Sequence, residues 1–309
     1  MSARFPIEGV GPGPATAVAP AQTVAAAPAS ASVAARGPAA APARRQVKGP
    51  GMPGEGSSFG ISVATTIVLL GTWWAATAFG WIAPLFLPSP QAIGNAFVAA
   101  WNGDIQGGKS LAEHFGWSVG RVFAAFSAAV AVGVPIGLAM GLSRVARGVF
   151  DPMIEFYRPL PPLAYLPLIV MWMGIGETGK VIVLFLACLA PIVVAARAGV
   201  KGVAVEQVNA ARSMGATEIQ VLRHVILPAA LPEILTGMRI AMGFAWTTVV
   251  AAELTGAEAG LGQMVLNASN FLRTDIVIMG IVTIGIVAWA FDLGMRRLER
   301  WLVPWKGRV

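Results

Sequence analysis

Apolar and polar positions in this chain are sorted into long blocks, not short periods. Beyond residue 60, six apolar stretches stand out at 61–81, 119–142, 156–173, 181–200, 234–252 and 276–293. Each is close to the roughly 20 residues that a helix needs to cross a bilayer. The pattern therefore predicts an all-α membrane protein with six transmembrane helices. The third stretch is interrupted by Pro159, Pro161, Pro162 and Pro167. Proline frees backbone carbonyls, which in hydrocarbon must be satisfied by protein or by a water-filled cavity. That stretch is accordingly expected to border a pathway. Pro161, Pro162 and Tyr165, with Trp246 of the fifth stretch, are the candidate lining residues; the alternative is a kinked structural helix.

Composition points the same way. Hydrophobic residues make up 56% of the 309 positions and charged residues only 12%, with a mean hydropathy of +0.70. A soluble domain of this size would need more charge to cover its surface. The net charge of +7 does not indicate a nucleic-acid partner, because the basic residues form short clusters between apolar blocks and no single patch. Arg144, Arg147 and Arg158 lie around the second connection, and Arg197, Lys201, Arg212 and Arg223 in the fourth. Arg296, Arg297, Arg300, Lys306 and Arg308 follow the last stretch, whereas the alternate connections hold only Lys109, Lys180 and Arg273. The positive-inside rule then places both termini in the cytoplasm.

Residues 1–59 are rich in Ala, Pro, Gly and Ser, without hydrophobic period or signal-peptide core. They are expected to form a disordered cytoplasmic tail, with Met52 available as a second start, ahead of a membrane domain at 60–309. The lone Cys188 cannot form an internal disulfide, and His114 and His224 fall on opposite sides of the bilayer. No Ser/His/Asp set, metal cluster or carboxylate pair converges on one side. No catalytic, cofactor or metal residue is assigned, and an intramembrane enzyme is the rival reading. A secondary transporter is another; the absence of a visible internal repeat argues against it.

The connection between the fourth and fifth stretches carries the most information. Val205, Val208 and Ala211 share one helical face, and Gly215 stands where a left-handed residue would end that helix. Thr217 and Gln220 have capping-box spacing for a second short helix. Ile219, Leu222 and Ile226 would give it an apolar stripe, and Leu227-Pro228 would stop it.

Asn209-Ala210-Ala211, then Gly215, then Val225-Ile226-Leu227-Pro228 resembles the EAA loop of ABC importer permeases. Asn209 stands where the family has Glu, which removes a charge, and Val225 stands where it has Ile. The resemblance implies that Asn209, Ala210, Ala211, Gly215, Val225, Leu227 and Pro228 belong to a coupling helix that docks on an ATPase. Leu87-Pro88-Ser89-Pro90, the run from Arg158 to Ala164 and the run from Gly174 to Lys180 look like the nitrate/sulfonate/taurine branch. The runs 227–237, 243–246 and 250–254 look most like taurine permeases. This similarity covers 60–309.

It implies a type I importer fold, a permease homodimer, two copies of an ABC ATPase subunit and an extracytoplasmic substrate-binding protein in a bacterial inner membrane. The permease would not itself be an enzyme. The implied cargo is a small anion, taurine or another sulfonate, with nitrate or another small organic anion as the alternative.

Other signals are weaker. Gly174, Gly179 and Lys180 nearly spell a phosphate-binding loop, but Val181 replaces the magnesium-ligating hydroxyl. Gly133, Gly137 and Gly141 recur at four-residue spacing and predict close helix packing, within the protomer or across a dimer. Arg239 is either a functional intramembrane charge or a snorkelling one. Glu155 and Arg158 have the spacing of a helical ion pair, and Glu253 is expected to be structural or gating.

Overall fold

The computed structural model describes residues 59–105 and 107–305; the expected tail lies outside them except for its last residue, Phe59, which opens the first helix. Eleven α-helices follow in order. They are α1 (Phe59–Ala78), α2 (Pro90–Asn102), α3 (Leu111–Leu142), α4 (Arg144–Tyr157), α5 (Pro162–Met173), α6 (Glu177–Lys201), α7 (Val205–Ser213), α8 (Glu218–Val221), α9 (Leu227–Leu254), α10 (Leu261–Asn270) and α11 (Thr274–Leu302). A π turn at Leu222–Ile226 joins α8 to α9 without a break.

Five helices among the described residues are long and apolar enough to cross a membrane: α1, α3, α6, the continuous helix from Glu218 to Leu254, and α11. The expected third span is not one crossing helix. Its sequence divides between α4 and the 12-residue α5. At 1.5 Å per residue α5 is about 18 Å long, short of a hydrocarbon core of about 30 Å. Pro159 and Pro161 cause the break, and Pro162 opens the new helix at a position where no N–H is required.

α3, α6, α9 and α11 run longer than their apolar blocks. α3 begins at Leu111 because Ser110 and Glu113 form a capping box: Glu113 N–H donates to Ser110 Oγ (3.3 Å) and Ser110 N–H to Glu113 Oε2 (3.0 Å). Ser89 caps α2, with Pro90 in its first turn. α2 and α10 were not visible as apolar blocks. They pack on the first turns of α11 through Ala96, Ala100, Leu261, Met264 and Ile276.

α6 is the central helix, in broad contact with α3 on one side and α9 on the other. Small residues bring the three backbones together. A Cβ on Gly137 would lie 2.5 Å from both Ala196 Cβ and Val193 O. One on Gly141 would meet Val200 at 2.5 Å, and one on Gly237 would meet Ala195 Cβ at 2.1 Å. The glycine stripe of α3 thus packs against α6 inside the protomer.

α1 has no buried residue. The hydroxyls of Thr65, Thr66, Thr72 and Thr77 each donate to a carbonyl of the preceding turn. A helix facing lipid needs that internal satisfaction.

Candidate functional site

The loop between α6 and α9 is built from two capping devices. Gly215 has φ +84°, a conformation that any Cβ penalises. Gly215 N–H donates to Arg212 O (2.9 Å) and Ala216 N–H to Ala211 O (3.1 Å). These are the paired bonds of a Schellman motif. Ala216 also packs in the cluster of Ala211, Val221 and Ile226, the apolar contact that accompanies such a cap. Two residues on, Thr217 N–H donates to Gln220 Oε1 (2.8 Å) and Gln220 N–H to Thr217 Oγ1 (3.4 Å). Arg212 clamps the corner, donating to both oxygens of Glu218 at 3.1 and 2.9 Å.

Two local expectations fail here. Ile219 is 77% exposed, and Val221 takes its place in the packed face. Leu227-Pro228 does not stop the helix. Pro228 and Pro232 supply no N–H, and the chain absorbs the deficit by widening into the π turn, where Leu227 N–H donates to Leu222 O. Pro228 then sits in the first turn of α9.

Of the residues expected to couple, Ala210, Ala211, Val225 and Pro228 line a groove of about 610 Å³, edged by Trp305. Asn209, Gly215 and Leu227 are exposed beside it.

A second cleft, of about 740 Å³, opens between the α4–α5 link, α6 and α9. It lies in the halves of α6 and α9 nearer the groove. Pro161, Pro162 and Tyr165 line it. Trp246 does not: it is 4% exposed and packs in the bundle core against Phe291, with ring centroids 5.3 Å apart. Tyr157 O–H donates to the Leu186 carbonyl and lies 3.4 Å from the Tyr165 hydroxyl. These contacts tie the link to α6.

The opposite end of the bundle holds a charge cluster in which Arg121 and Glu253 are buried and Glu177 is partly exposed. Arg121 of α3 donates bidentately to Glu177 of α6 (2.5 and 2.9 Å) and through Nη1 to Glu253 of α9 (2.7 Å). The same Nη1 donates to Ala259 O (2.7 Å). Glu253 is fully buried and accepts further from Ser118 Oγ (2.7 Å) and Gly262 N–H (2.8 Å). Gly260 N–H donates to His114 Nδ1 (3.0 Å) and Leu261 N–H to Ser118 Oγ (2.8 Å). Gly260 has φ +147°, and a Cβ there would lie 2.3 Å from the Glu253 carboxyl carbon. The cluster therefore fastens the α9–α10 turn to α3 and α6.

Glu177 and Lys180, read from sequence within a glycine-rich turn, are ion-paired at 3.0 Å. Arg239 pairs with Asp292 (3.5 Å) and Glu299 (3.9 Å) of α11.

A bundle of membrane-length helices with a capped connection at one end, a cleft above it and a charge cluster at the other is the architecture of a multi-pass helical membrane protein. The comparisons narrow the class. A family model described as the binding-protein-dependent transport system inner membrane component matches residues 133–306. The taurine transport system permease protein TauC of Escherichia coli is 49% identical over 249 residues, covering 81% of this chain and 90% of TauC. The putative aliphatic sulfonates transport permease protein SsuC of Escherichia coli is 35% identical, covering 77% and 88%. The nitrate import permease protein NrtB of Synechocystis is 31% identical, covering 71% and 81%. In fold, a chain of the inward-facing MetNI methionine ABC transporter superposes with a TM-score of 0.54 at 20% identity, over 62% of this chain and 95% of that one.

The chain belongs to the binding-protein-dependent transport system inner membrane component family and has the type I ABC importer permease fold. It is a multi-pass membrane permease in the branch that its motifs resemble.

Proposed function

We propose that this permease is the membrane subunit of an ATP-driven importer for a small organic sulfonate, with taurine as the first substrate to test. The observation that carries the reading is the capped corner at Gly215, exposed at one end of the bundle and continuous with α9. A partner pressing on that corner would move a crossing helix directly. In this reading Asn209, Ala210, Ala211, Gly215, Val225, Leu227 and Pro228 meet an ATPase subunit, present in two copies beneath a permease homodimer. ATP is bound and hydrolysed by that partner.

The sulfonate assignment rests on the higher identity to TauC than to SsuC or NrtB. The cleft lined by Pro161, Pro162 and Tyr165 is the pathway segment of this reading, open toward the coupling end. The Arg121–Glu177–Glu253 cluster closes the other end, where an extracytoplasmic binding protein would deliver substrate. In this reading the Gly215 corner and both termini face the cytoplasm of a bacterial inner membrane, an orientation that the basic clusters support.

The test is reconstitution with the ATPase and binding protein in proteoliposomes. ATP-dependent accumulation of labelled taurine is expected. Transport of nitrate and not of any sulfonate would overturn the substrate assignment. Uptake by the permease alone, driven by an ion gradient, would overturn the class.

A further inference from the structure

The cleft between the α4–α5 link, α6 and α9 has an apolar wall of Pro, Ala, Val, Ile and Phe side chains, and it holds one cation and one anion. The cation is Arg158, on the link; the anion is Glu233, on α9. Each is exposed, and neither makes an ion pair or side-chain hydrogen bond among the described residues. Arg158 does not pair with Glu155, although the spacing allows it. Arg121, Lys180, Arg197 and Arg239 are ion-paired; what sets Arg158 and Glu233 apart from the other unpaired charges is that they line one cleft with opposite sign. Two charges of opposite sign that line one largely apolar cleft can be met together by a ligand that carries both.

The remaining polar groups fit the same picture. Tyr165 places a hydroxyl in the cleft wall. Pro191, which also lines it, gives no N–H to the Ala187 carbonyl on the same wall. The inventory is thus a guanidinium on one side, and a carboxylate with a spare carbonyl acceptor on the other. A simple anion would use only the guanidinium and would meet repulsion from Glu233. A molecule with an anionic head and an ammonium would use both.

We propose that this cleft recognises a zwitterionic aminosulfonate as it passes, with Arg158 holding the sulfonate oxygens and Glu233 the ammonium. The permease would then contribute selectivity of its own, against anions that lack the amine. A guanidinium fork suits a tetrahedral oxyanion, because it offers two parallel donors to two oxygens. The inference deepens the sulfonate-import reading and rests on it.

The experiment uses the full permease–ATPase complex in lipid nanodiscs. Cys188 is replaced by Ala, and a reporter cysteine is introduced by Ile240→Cys, an exposed position on the cleft wall. The rate of modification by a charged thiol reagent is measured with taurine, ethanesulfonate or ethylammonium present. Taurine is expected to slow modification, with each half-molecule at least roughly tenfold weaker. Arg158→Gln should weaken protection by taurine about tenfold and leave ethylammonium unchanged; Glu233→Gln should do the converse, leaving ethanesulfonate unchanged. Ethanesulfonate protecting as well as taurine would overturn the inference. So would an absence of protection up to about 50 mM, well above the ~1 mM of even a weak site. ATP-dependent taurine uptake by the same complex with its binding protein is run in parallel. Uptake without protection sinks only the inference, whereas no taurine uptake at all sinks the taurine assignment beneath it.

Discussion

Gly215→Asp should leave the permease folded and inserted, and should abolish transport. The magnitudes separate the two effects. With φ at +84°, any Cβ at this position is strained by about 1 kcal/mol, and less for Asp or Asn, whose short polar side chains tolerate the left-handed region. No heavy atom lies within 4 Å of the Cβ site, so the chain itself adds no clash. A loss below about 1 kcal/mol is small beside a typical folding stability of 5–15 kcal/mol. The Schellman bonds use backbone atoms only and can persist. What changes is the outer surface of the corner, which gains a carboxylate and bulk where the proposed ATPase partner would dock.

Three variants distinguish strain from docking. Gly215→Asn adds size with little strain, Gly215→Asp adds charge as well, and Gly215→Val adds strain above all. Insertion and dimerisation are read by size-exclusion chromatography, coupling by substrate-stimulated ATP hydrolysis and uptake in proteoliposomes. Assembled permease with ATPase lost or uncoupled is the expected result for Asp, with Asn intermediate. Normal transport by Gly215→Asp would refute the assignment of this corner as the coupling element.

Gly137→Leu should prevent correct packing, because even a Cβ meets the Val193 carbonyl at 2.5 Å. Overpacking of this kind costs roughly 1–3 kcal/mol or more, and a thermal-shift measurement in detergent should show a clear fall in melting temperature. Glu253→Gln removes the charge but keeps most of the hydrogen-bonding shape, whereas Glu253→Ala leaves Arg121 short of a buried partner at a cost of about 3–5 kcal/mol. The Ala variant should therefore be much less stable than the Gln variant; equal melting temperatures would mean that the cluster carries no structural charge. For orientation, cysteines are introduced by Asn102→Cys and Trp301→Cys on a Cys188→Ala background. An impermeant reagent outside intact cells should label the first and not the second, and the reverse pattern would invert the topology. Asn209→Glu, which restores the commoner family residue, should be tolerated in uptake assays.

The parts of this molecule that were legible in sequence are those fixed by local chemistry. Gly215 and the Thr217–Gln220 pair each state a backbone geometry within four residues, and both are found. The apolar blocks of α1, α3, α6, α9 and α11 were legible because the bilayer demands length. The third block misled because its hydropathy does not reveal that Pro159 and Pro161 leave only 12 residues of helix on the far side. α2 and α10 were missed because short helices with small core residues such as Ala96, Ala100 and Ala268 look like polar loops.

The stop expected at Pro228 failed for a related reason. Proline ends a helix only where its turn cannot widen, and the π turn before it allowed widening. The charge cluster was out of reach for a different reason. Arg121 lies 56 residues from Glu177 and 132 from Glu253, so the two pairings are set by how α6 sits between α3 and α9. Trp246 was expected to line the pathway, and its neighbours decided otherwise: they made it core.

The unbroken run from Glu218 to Leu254 is 37 residues, a rod about 55 Å long at 1.5 Å per residue. A hydrogen-bonded helix resists stretching, so a push at Glu218 arrives at Glu253 almost undiminished. The lock at one end of the molecule and the handle at the other are thus parts of one solid piece. If the proposed coupling holds, no relay of side chains is needed between them, and the timing would be set by how firmly Arg121 and Ser118 grip the rod's far end. Under the proposed importer reading the grip would act as a detent: strong enough to keep the entrance shut between strokes, and finite, so that one stroke would release it.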